Sequence, residues 1–470
     1  MPLPLTAAAF TANFDRFAIG PIPVVIAAAL HVPLASAVVL AGGYALAYGL
    51  SQPVWGILSD RIGRLRVIRT ALTLGALAGS ASAVVPNLAA LVVLRVLTGF
   101  AFGAVVPSSL SFIGDTVPPR RRQGALAGLM AALGVGSGLA ALFAGVVANW
   151  LSWRLVFAVP AIAAMAAAIG LRGASDPEHV PVGSPVTQVA TVLRARFAYA
   201  VAALGVVEGA VLLGGLTFVA PALQHRGLSG AMAGTITALY GAGTLVFTRA
   251  VKPLTQRMPT QGLAATGGGF VIVGYVAAAV VPGVWTYALL ATLLGAGWAF
   301  LHSTLQALAT SVVPEARGTA VSFYVAALYV GSALGASFGG AAADHGRFGA
   351  IFGLAAAVTV PLTVAVVVSR SRFTARGWVP IAWSPSTHGH LSTDIPYLRD
   401  AVTGRLNGSW KSVAAGRGVN QGTCLRRERP RFLEDAAQRP VAIPATVFGG
   451  SAHAPRRVGT TSRPSMSLRT

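Results

Sequence analysis

Glu208 stands alone in an apolar stretch, Val206-Val-Glu208-Gly-Ala210, with no basic residue within a helical turn on either side. A carboxyl removed from water is easier to protonate, which suits a group that loads and releases a proton. A structural acid hydrogen-bonded to a neighbouring helix is the other reading. Asp15 sits in a second such stretch and is followed by Arg16. Adjacent residues do not share a helix face, so Arg16 is not its natural partner. Asp15 could carry a proton, or it could be an acid favoured near a helix N-terminus. Arg95, in Leu91-Val-Val-Leu-Arg95-Val-Leu-Thr98-Gly99, is a third intramembrane charge. It either assists proton coupling or snorkels outwards. His302 suits a hydrogen-bonded packing role, or binding of substrate or protons. With Trp298, Tyr240 and Tyr324 it is a candidate for the lining of a central cavity.

These groups matter because of the setting. Of the 470 residues, 54% are apolar and 10% charged, and the mean hydropathy is +0.69. A soluble domain carries roughly a quarter charged residues. The composition excludes a cytosolic enzyme or a nucleic-acid binder as the leading reading, despite a net charge of +22. A single cysteine, Cys424, excludes a disulfide scaffold. Apolar runs of about twenty residues, nearly free of charge, read as membrane-spanning helices. Twelve are expected, near 8–30, 36–58, 67–86, 88–113, 123–148, 152–171, 195–222, 230–249, 261–281, 284–311, 318–342 and 346–369. The first lacks a basic leader, so it reads as a retained helix rather than a signal peptide.

Loop charge sets the expected orientation. With the N-terminus inside, the inner loops carry fourteen basic residues, including Arg61, Arg64, Arg66, Arg69 and Arg120–Arg122. The outer loops carry three, Arg154, Arg226 and Arg347. By the positive-inside rule both termini are cytoplasmic, in a bacterial plasma membrane.

The chain also repeats at an offset near 195. Val117-Pro-Pro-Arg-Arg-Arg122 and Ala131-Ala-Leu-Gly-Val-Gly-Ser137 return as Val312-Val-Pro-Glu-Ala-Arg317 and Ala326-Ala-Leu-Tyr-Val-Gly-Ser332. This offset carries position 15 to within a turn of Glu208. The expected organisation is a six-helix half at 1–172, a linker at 173–194, and a second half at 195–370. Two such halves around a midplane site are a known route to alternating access. Glycines four residues apart, Gly99/Gly103, Gly134/Gly138 and Gly331/Gly335/Gly339, permit close helix packing.

The most specific stretch is Gly56-Ile-Leu-Ser-Asp60-Arg61-Ile-Gly63-Arg64-Leu-Arg66. Small Gly56 lets a neighbouring helix approach. Asp60 is an acid at a membrane boundary, to be held by an arginine or a helix N-terminus. Gly63 permits a tight turn. This stretch resembles the signature G-x-L-x-D-R-x-G-R-[KR] of the major facilitator superfamily, with Leu65 in place of the final basic residue. The resemblance covers residues 1–370. It implies an all-α polytopic membrane protein of twelve transmembrane helices in two pseudo-symmetric six-helix halves. It also implies that the loop is a cytoplasmic latch, closed in the outward-open state, whose acid faces the start of the eleventh helix. An arginine of the loop pairs in that family with an acid ending the fourth helix, so an Arg64–Asp115 pair is expected. The second-half copy, Lys252-Pro-Leu-Thr-Gln256-Arg257, has lost the acid and the glycines.

The Arg95 stretch resembles a second motif of proton-coupled members, with Thr98 where glutamine is usual. A fifth-helix motif of drug/proton antiporters, G-x-x-x-G-P-x-x-G-G, is matched at Gly134 and Gly138. Leu139 and Leu142-Phe143 depart from it.

No phosphate-binding loop or clustered metal ligands occur, so no cofactor is expected and the proton gradient is the expected energy source. The expected partners are a small-molecule substrate and the lipid bilayer, with no nucleic acid, for a chain acting as a monomer. Residues 371–470 carry 15 of the 35 basic residues without apolar periodicity. They read as a basic, disordered cytoplasmic tail, or as out-of-frame translation past Arg370. The leading expectation is proton-coupled efflux, with Glu208, Asp15 and Arg95 in the coupling and Gly56, Asp60, Arg61, Gly63, Arg64 and Asp115 in the gate. Uptake by symport or facilitated diffusion, or a non-transporting sensor, are the alternatives.

Overall fold

In hydrocarbon a backbone must satisfy its own hydrogen bonds, and the long Ala/Val/Leu/Gly runs of this chain do so as helices. The computed structural model describes residues 3–174, 176 and 185–375, all within one compact unit. The tail expected at 371–470 lies outside the described residues from position 376 on, as do Ser175 and 177–184 of the expected linker. No strand occurs among the described residues.

Twelve helical segments match the twelve expected spans. They are α1 (Leu3–Ala18, continued by Pro23–Leu30), α2 (Leu34–Ile62), α3 (Arg64–Ser82), α4 (Leu88–Thr116), α5 (Pro119–Trp150) and α6 (Leu155–Gly170). The second set is α7 (Arg196–His225), α8 (Gly230–Leu254), α9 (Thr260–Val280), α10 (Val284–Val312), α11 (Arg317–Asp344) and α12 (Phe348–Ala375). A linker helix, Pro185–Arg194, precedes α7. Among the described residues nine helices are individually long and apolar enough to cross a bilayer. The two parts of α1, bent by 58°, form a tenth span. The bend falls at Gly20-Pro21, where proline removes a backbone donor. α6, at 16 residues, and α3, which begins with Arg64, Arg66 and Arg69, complete the twelve. Two helices begin on side-chain caps: Asn87 accepts from Ala90 N at 2.9 Å, and Ser229 from Met232 N at 3.2 Å.

α7 and α10 are not uniform. A π-helical turn occupies Ala210–Gly214, two residues after Glu208, and another occupies Trp298–His302. Such turns re-aim side chains and recur at functional sites.

The small residues seen in sequence form the helix contacts. Gly99 and Gly103 meet the backbone of Tyr44 and Tyr48 in α2, and Gly331 and Gly335 meet that of Val206 and Ala210 in α7. Two seams join the halves, α2 against α11 and α5 against α8. Along α2, Ala35, Gly42, Gly49 and Gly56 recur every seven residues, two turns apart on one face. A methyl on Gly340 would lie 3.2 Å from Ala35 Cα, one on Gly42 3.5 Å from the Ala333 carbonyl, and one on Gly49 3.1 Å from that of Ala326. A methyl on Gly56 would meet nothing within 4 Å. The α5 seam behaves alike. A methyl on Gly145 would come within 2.8 Å of Gly234 Cα, and one on Gly138 within 3.7 Å of Gly241 Cα, whereas Gly128 and Gly124 face open space.

The halves are therefore zipped at one end and parted at the end that carries the arginine-rich loops. The zipped end has polar clasps too. Ala35 N donates to Asp344 Oδ1 (2.8 Å), Gly230 N to Asn149 Oδ1 (3.1 Å), and Gln224 Nε2 to the Pro21 carbonyl (3.0 Å).

Candidate functional site

The deep ionisable side chains fall into two clusters. In the second half, α7 carries Glu208, α10 carries His302 and α11 carries Tyr324. The Tyr324 hydroxyl donates to Glu208 Oε2 at 2.5 Å and lies 3.0 Å from His302 Nδ1. Glu208 Oε1 is 3.3 Å from the same Nδ1 and makes no hydrogen bond. Glu208 is fully buried and His302 is 6% exposed. The imidazole stacks on Trp298, one helical turn away, with ring centres 3.8 Å apart. Glu208 thus has a partner after all, supplied by other helices, which a search along its own helix could not find.

In the first half, Asp15 of α1 and Arg95 of α4 form a buried ion pair, 1% and 0% exposed. Arg95 Nη1 donates to Asp15 Oδ1 at 3.1 Å and to Oδ2 at 3.3 Å. Its other donors reach Ser82 Oγ (3.2 and 3.0 Å) and Thr98 Oγ1 (2.8 Å), and its guanidinium lies over the Phe157 ring. A buried charge persists when it is paired and its remaining donors are satisfied, and both conditions hold here. Two expectations are corrected. Arg95 does not snorkel outwards, because its donors are satisfied inside the bundle. Asp15 is not near a helix N-terminus, because α1 begins at Leu3, more than three turns earlier.

At the basic end, the turn between α2 and α3 is made by Gly63 at φ +102°, a conformation costly for any residue with a Cβ. Arg64 reaches back to Asp60 and Ser59 and across to Asp115 Oδ2 of α4 at 3.3 Å. The expected Arg64–Asp115 pair is present. Asp60 is engaged by Arg64 within its own half, and Arg61 is exposed. Gly56 does not receive a neighbouring helix as expected, because the α2–α11 seam has parted at its level. The N-terminus of α3 is held by a residue sequence reasoning missed. Asp176 Oδ1 accepts from Leu65 N (2.7 Å) and Oδ2 from Arg66 N (3.2 Å). A carboxylate on exposed helix N–H groups is favourable for both charge and hydrogen bonding.

Between the halves lies a cleft. Arg16, Phe17 and Gly20 of α1, Tyr44 of α2, Ser137 of α5, Leu213 and Leu216 of α7, Tyr240 of α8, and Tyr329 and Ser332 of α11 line it. Both halves contribute, and the repeated Val-Gly-Ser brings one serine from each half, Ser137 and Ser332, into the lining.

A sequence profile of the Major Facilitator Superfamily matches residues 5–314 and, overlapping, 210–389. The chain belongs to that superfamily. It is 28% identical over 347 residues to the uncharacterized MFS-type transporter YfhI of Bacillus subtilis, covering 70% of this chain and 84% of that protein. It is 26% identical over 378 residues to the chloramphenicol resistance protein of Streptomyces lividans, covering 78% and 96%. Among solved structures, it resembles a bacterial homologue of the human lysosomal transporter Spinster in an inward-facing, unoccupied conformation. That match has a TM-score of 0.65 at 20% identity, over 80% of this chain and 98% of the other. A D-xylose–proton symporter matches with TM-score 0.60 at 19% identity, over 76% and 96%. At these identities the structural likeness concerns the fold.

The facilitator fold makes this a multi-span membrane transport protein, and its cleft is where the expected cavity residues are to be judged. Tyr240 lines it. Trp298, His302 and Tyr324 are not among its lining residues, because the imidazole stacks between Trp298 and Tyr324 and, with Tyr324, turns to Glu208. Arg16 and the tyrosines 44, 48 and 329 went unrecognised as a group. A charge inside a span was the available signal for Arg16. Its surroundings come from three different helices, and no spacing rule connects them.

Proposed function

We propose that this facilitator is a proton-coupled secondary transporter that exports a small molecule by exchange for protons, rocking its halves about the central cleft. The reading rests above all on Glu208. It is a fully buried carboxyl on a cleft-lining helix, framed by two π-helical turns and held by a tyrosine and a histidine rather than by a permanent cation. Its Oε1 has no hydrogen-bond partner, which gives an incoming proton a place to reside. Asp15 is the weaker carrier, because Arg95 neutralises it.

The likeness to a chloramphenicol resistance protein supports export over uptake. The fourteen-to-three loop charge bias supports cytoplasmic termini and a plasma-membrane location. In that orientation the parted seams face the cytoplasm and the bundle is inward-open, with Asp60 and Gly56 disengaged from α11. The loop around Gly56, Asp60, Arg61, Gly63 and Arg64 then latches when the seams close at that end. One chain supplies both walls of the cleft, which supports action as a monomer.

The test uses proteoliposomes with an internal pH indicator and empty liposomes as baseline. Neutral drugs, sugars and sulfonates are added in turn. Proton movement opposite to the solute, lost in Glu208→Gln, is expected. Movement in the same direction overturns export by exchange in favour of symport, and proton flux that survives Glu208→Gln overturns the role of that carboxyl.

A further inference from the structure

The deep charges of the two halves do not cancel at the cleft. Asp15 is taken by Arg95, and Glu208 is held behind the wall by Tyr324 and His302. Arg16 is left on the cleft surface with no carboxylate partner among the described residues. A guanidinium carried into a bilayer with no counter-ion is expensive, and such charges mark ligand or ion pathways.

The surroundings of Arg16 show what it is prepared for. Its Cζ lies 4.5 Å from the ring centre of Phe17, 4.6 Å from that of Tyr329 and 5.5 Å from that of Tyr48. Aromatic faces hold the flat sides of a guanidinium and leave its in-plane N–H groups to fork onto a carboxylate. Tyr44 lines the same cleft, its buried hydroxyl beside the Asp15 carboxylate. Elsewhere the wall combines apolar Phe17, Leu213 and Leu216 with hydroxyl side chains such as Ser137, Tyr240 and Ser332.

We infer that the cleft takes a small organic carboxylate with an apolar or aromatic body, its carboxylate forked by Arg16 and its body against Phe17, Leu213 and Leu216. This rests on the cleft being the transport site and names the class of its cargo. Binding neutralises the Arg16 charge, which no carboxylate among the described residues compensates. Occupancy therefore alters the electrostatic cost of closing the seams over it.

The test is binding to the full-length purified chain in detergent, read by ligand-induced shift of thermal unfolding. The probes are benzoate and hexanoate, their amides benzamide and hexanamide, and the amines benzylamine and hexylamine, at constant ionic strength set with sodium chloride. The acids are expected to bind at least about tenfold more tightly than the amides, and the amines not at all. Arg16→Gln should erase the preference. Arg16→Lys, which keeps the charge and loses the fork, should retain only a few-fold preference and serves if Arg16→Gln does not fold. Amides or amines that match the acids, an absence of any acid-induced shift, or a preference that survives Arg16→Gln would each overturn the inference. The measurement uses no proton gradient. An acid preference that depends on Arg16, together with no solute-evoked proton flux, overturns the coupling reading alone. Proton flux evoked by neutral solutes, with no acid preference, overturns this inference alone.

Discussion

Tyr324 donates its hydroxyl hydrogen bond to Glu208 Oε2 at 2.5 Å, and so ties α11, a seam helix, to the buried acid of α7. α11 is also the helix that meets α2 along the seam. The buried acid and the seam therefore share a side chain.

Replacing Tyr324 by phenylalanine removes that donor and keeps the ring. Glu208 Oε2 loses that donor, and a charge-assisted hydrogen bond is worth about 1.5–3 kcal/mol. Solute-evoked proton flux should fall several-fold, and Glu208→Gln should leave none. A Tyr324→Phe flux equal to that of the parent chain would show that the hydroxyl does not serve the acid.

The Asp15–Arg95 pair makes a different kind of prediction, about stability. Asp15→Asn leaves a buried guanidinium with no counter-charge, and removal of one partner of a buried pair costs about 3–5 kcal/mol. The purified protein should unfold at a distinctly lower temperature. Asp15→Asn combined with Arg95→Met removes both charges and should recover much of the loss. A double variant that is no better than the single one would mean that packing at Ser82, Thr98 and Phe157, rather than charge, governs this cluster.

Much of the fold was legible because a bilayer imposes a simple rule. A helix that crosses it must be apolar for about twenty residues, so the twelve spans announce themselves one at a time. The repeat was legible because Pro119, Arg122 and the Val-Gly-Ser run each recur in register at Pro314, Arg317 and Ser332. The loop was legible because Gly63, Asp60 and Arg64 interact within five residues and with a helix end at Asp115. The rest depends on side chains that meet across helices. Glu208 gains partners from α10 and α11, and Arg16 gains rings from α2 and α11. The linker residue Asp176 caps α3 from more than a hundred positions away. The π-helical turns are equally hidden, because one extra residue in a helix leaves no mark in an apolar run.

Asp176 also yields a test of how the joint between the halves is fastened. Its carboxylate satisfies two N–H groups at the start of α3. Asp176→Ala should cost about 1 kcal/mol and speed hydrogen exchange at the amides of Leu65 and Arg66. Gly63→Ala should act in the same direction and more strongly. It places a Cβ against the Asp176 side chain and strains a backbone at φ +102°. Unchanged exchange at Leu65 in Asp176→Ala would show that solvent replaces the cap without loss.

The seams supply a prediction about motion. On α2 and α11 the paired positions run in antiparallel register: Ala35 with Gly340, Gly42 with Ala333, Gly49 with Ala326. The next step of seven on each helix pairs Gly56 with Thr319. Thr319 instead gives its hydroxyl hydrogen bond to Gln188 of the linker helix, at 3.0 Å, and a methyl on Gly56 would meet nothing within 4 Å. In a chain with Cys424→Ser, Ala35→Cys with Gly340→Cys should cross-link readily in the resting protein. Gly56→Cys with Thr319→Cys should not cross-link until the transporter is driven into its other state. Alternating access requires the two pairs to exclude each other, because the same rigid helices cannot meet at both ends while a cleft stays open between them. A cross-linked Ala35–Gly340 pair should arrest transport and release it on reduction, and it should prevent cross-linking at the other pair. Simultaneous formation of both cross-links in one molecule would mean that α2 and α11 flex independently, and that the halves do not rock as units about Arg16 and Glu208.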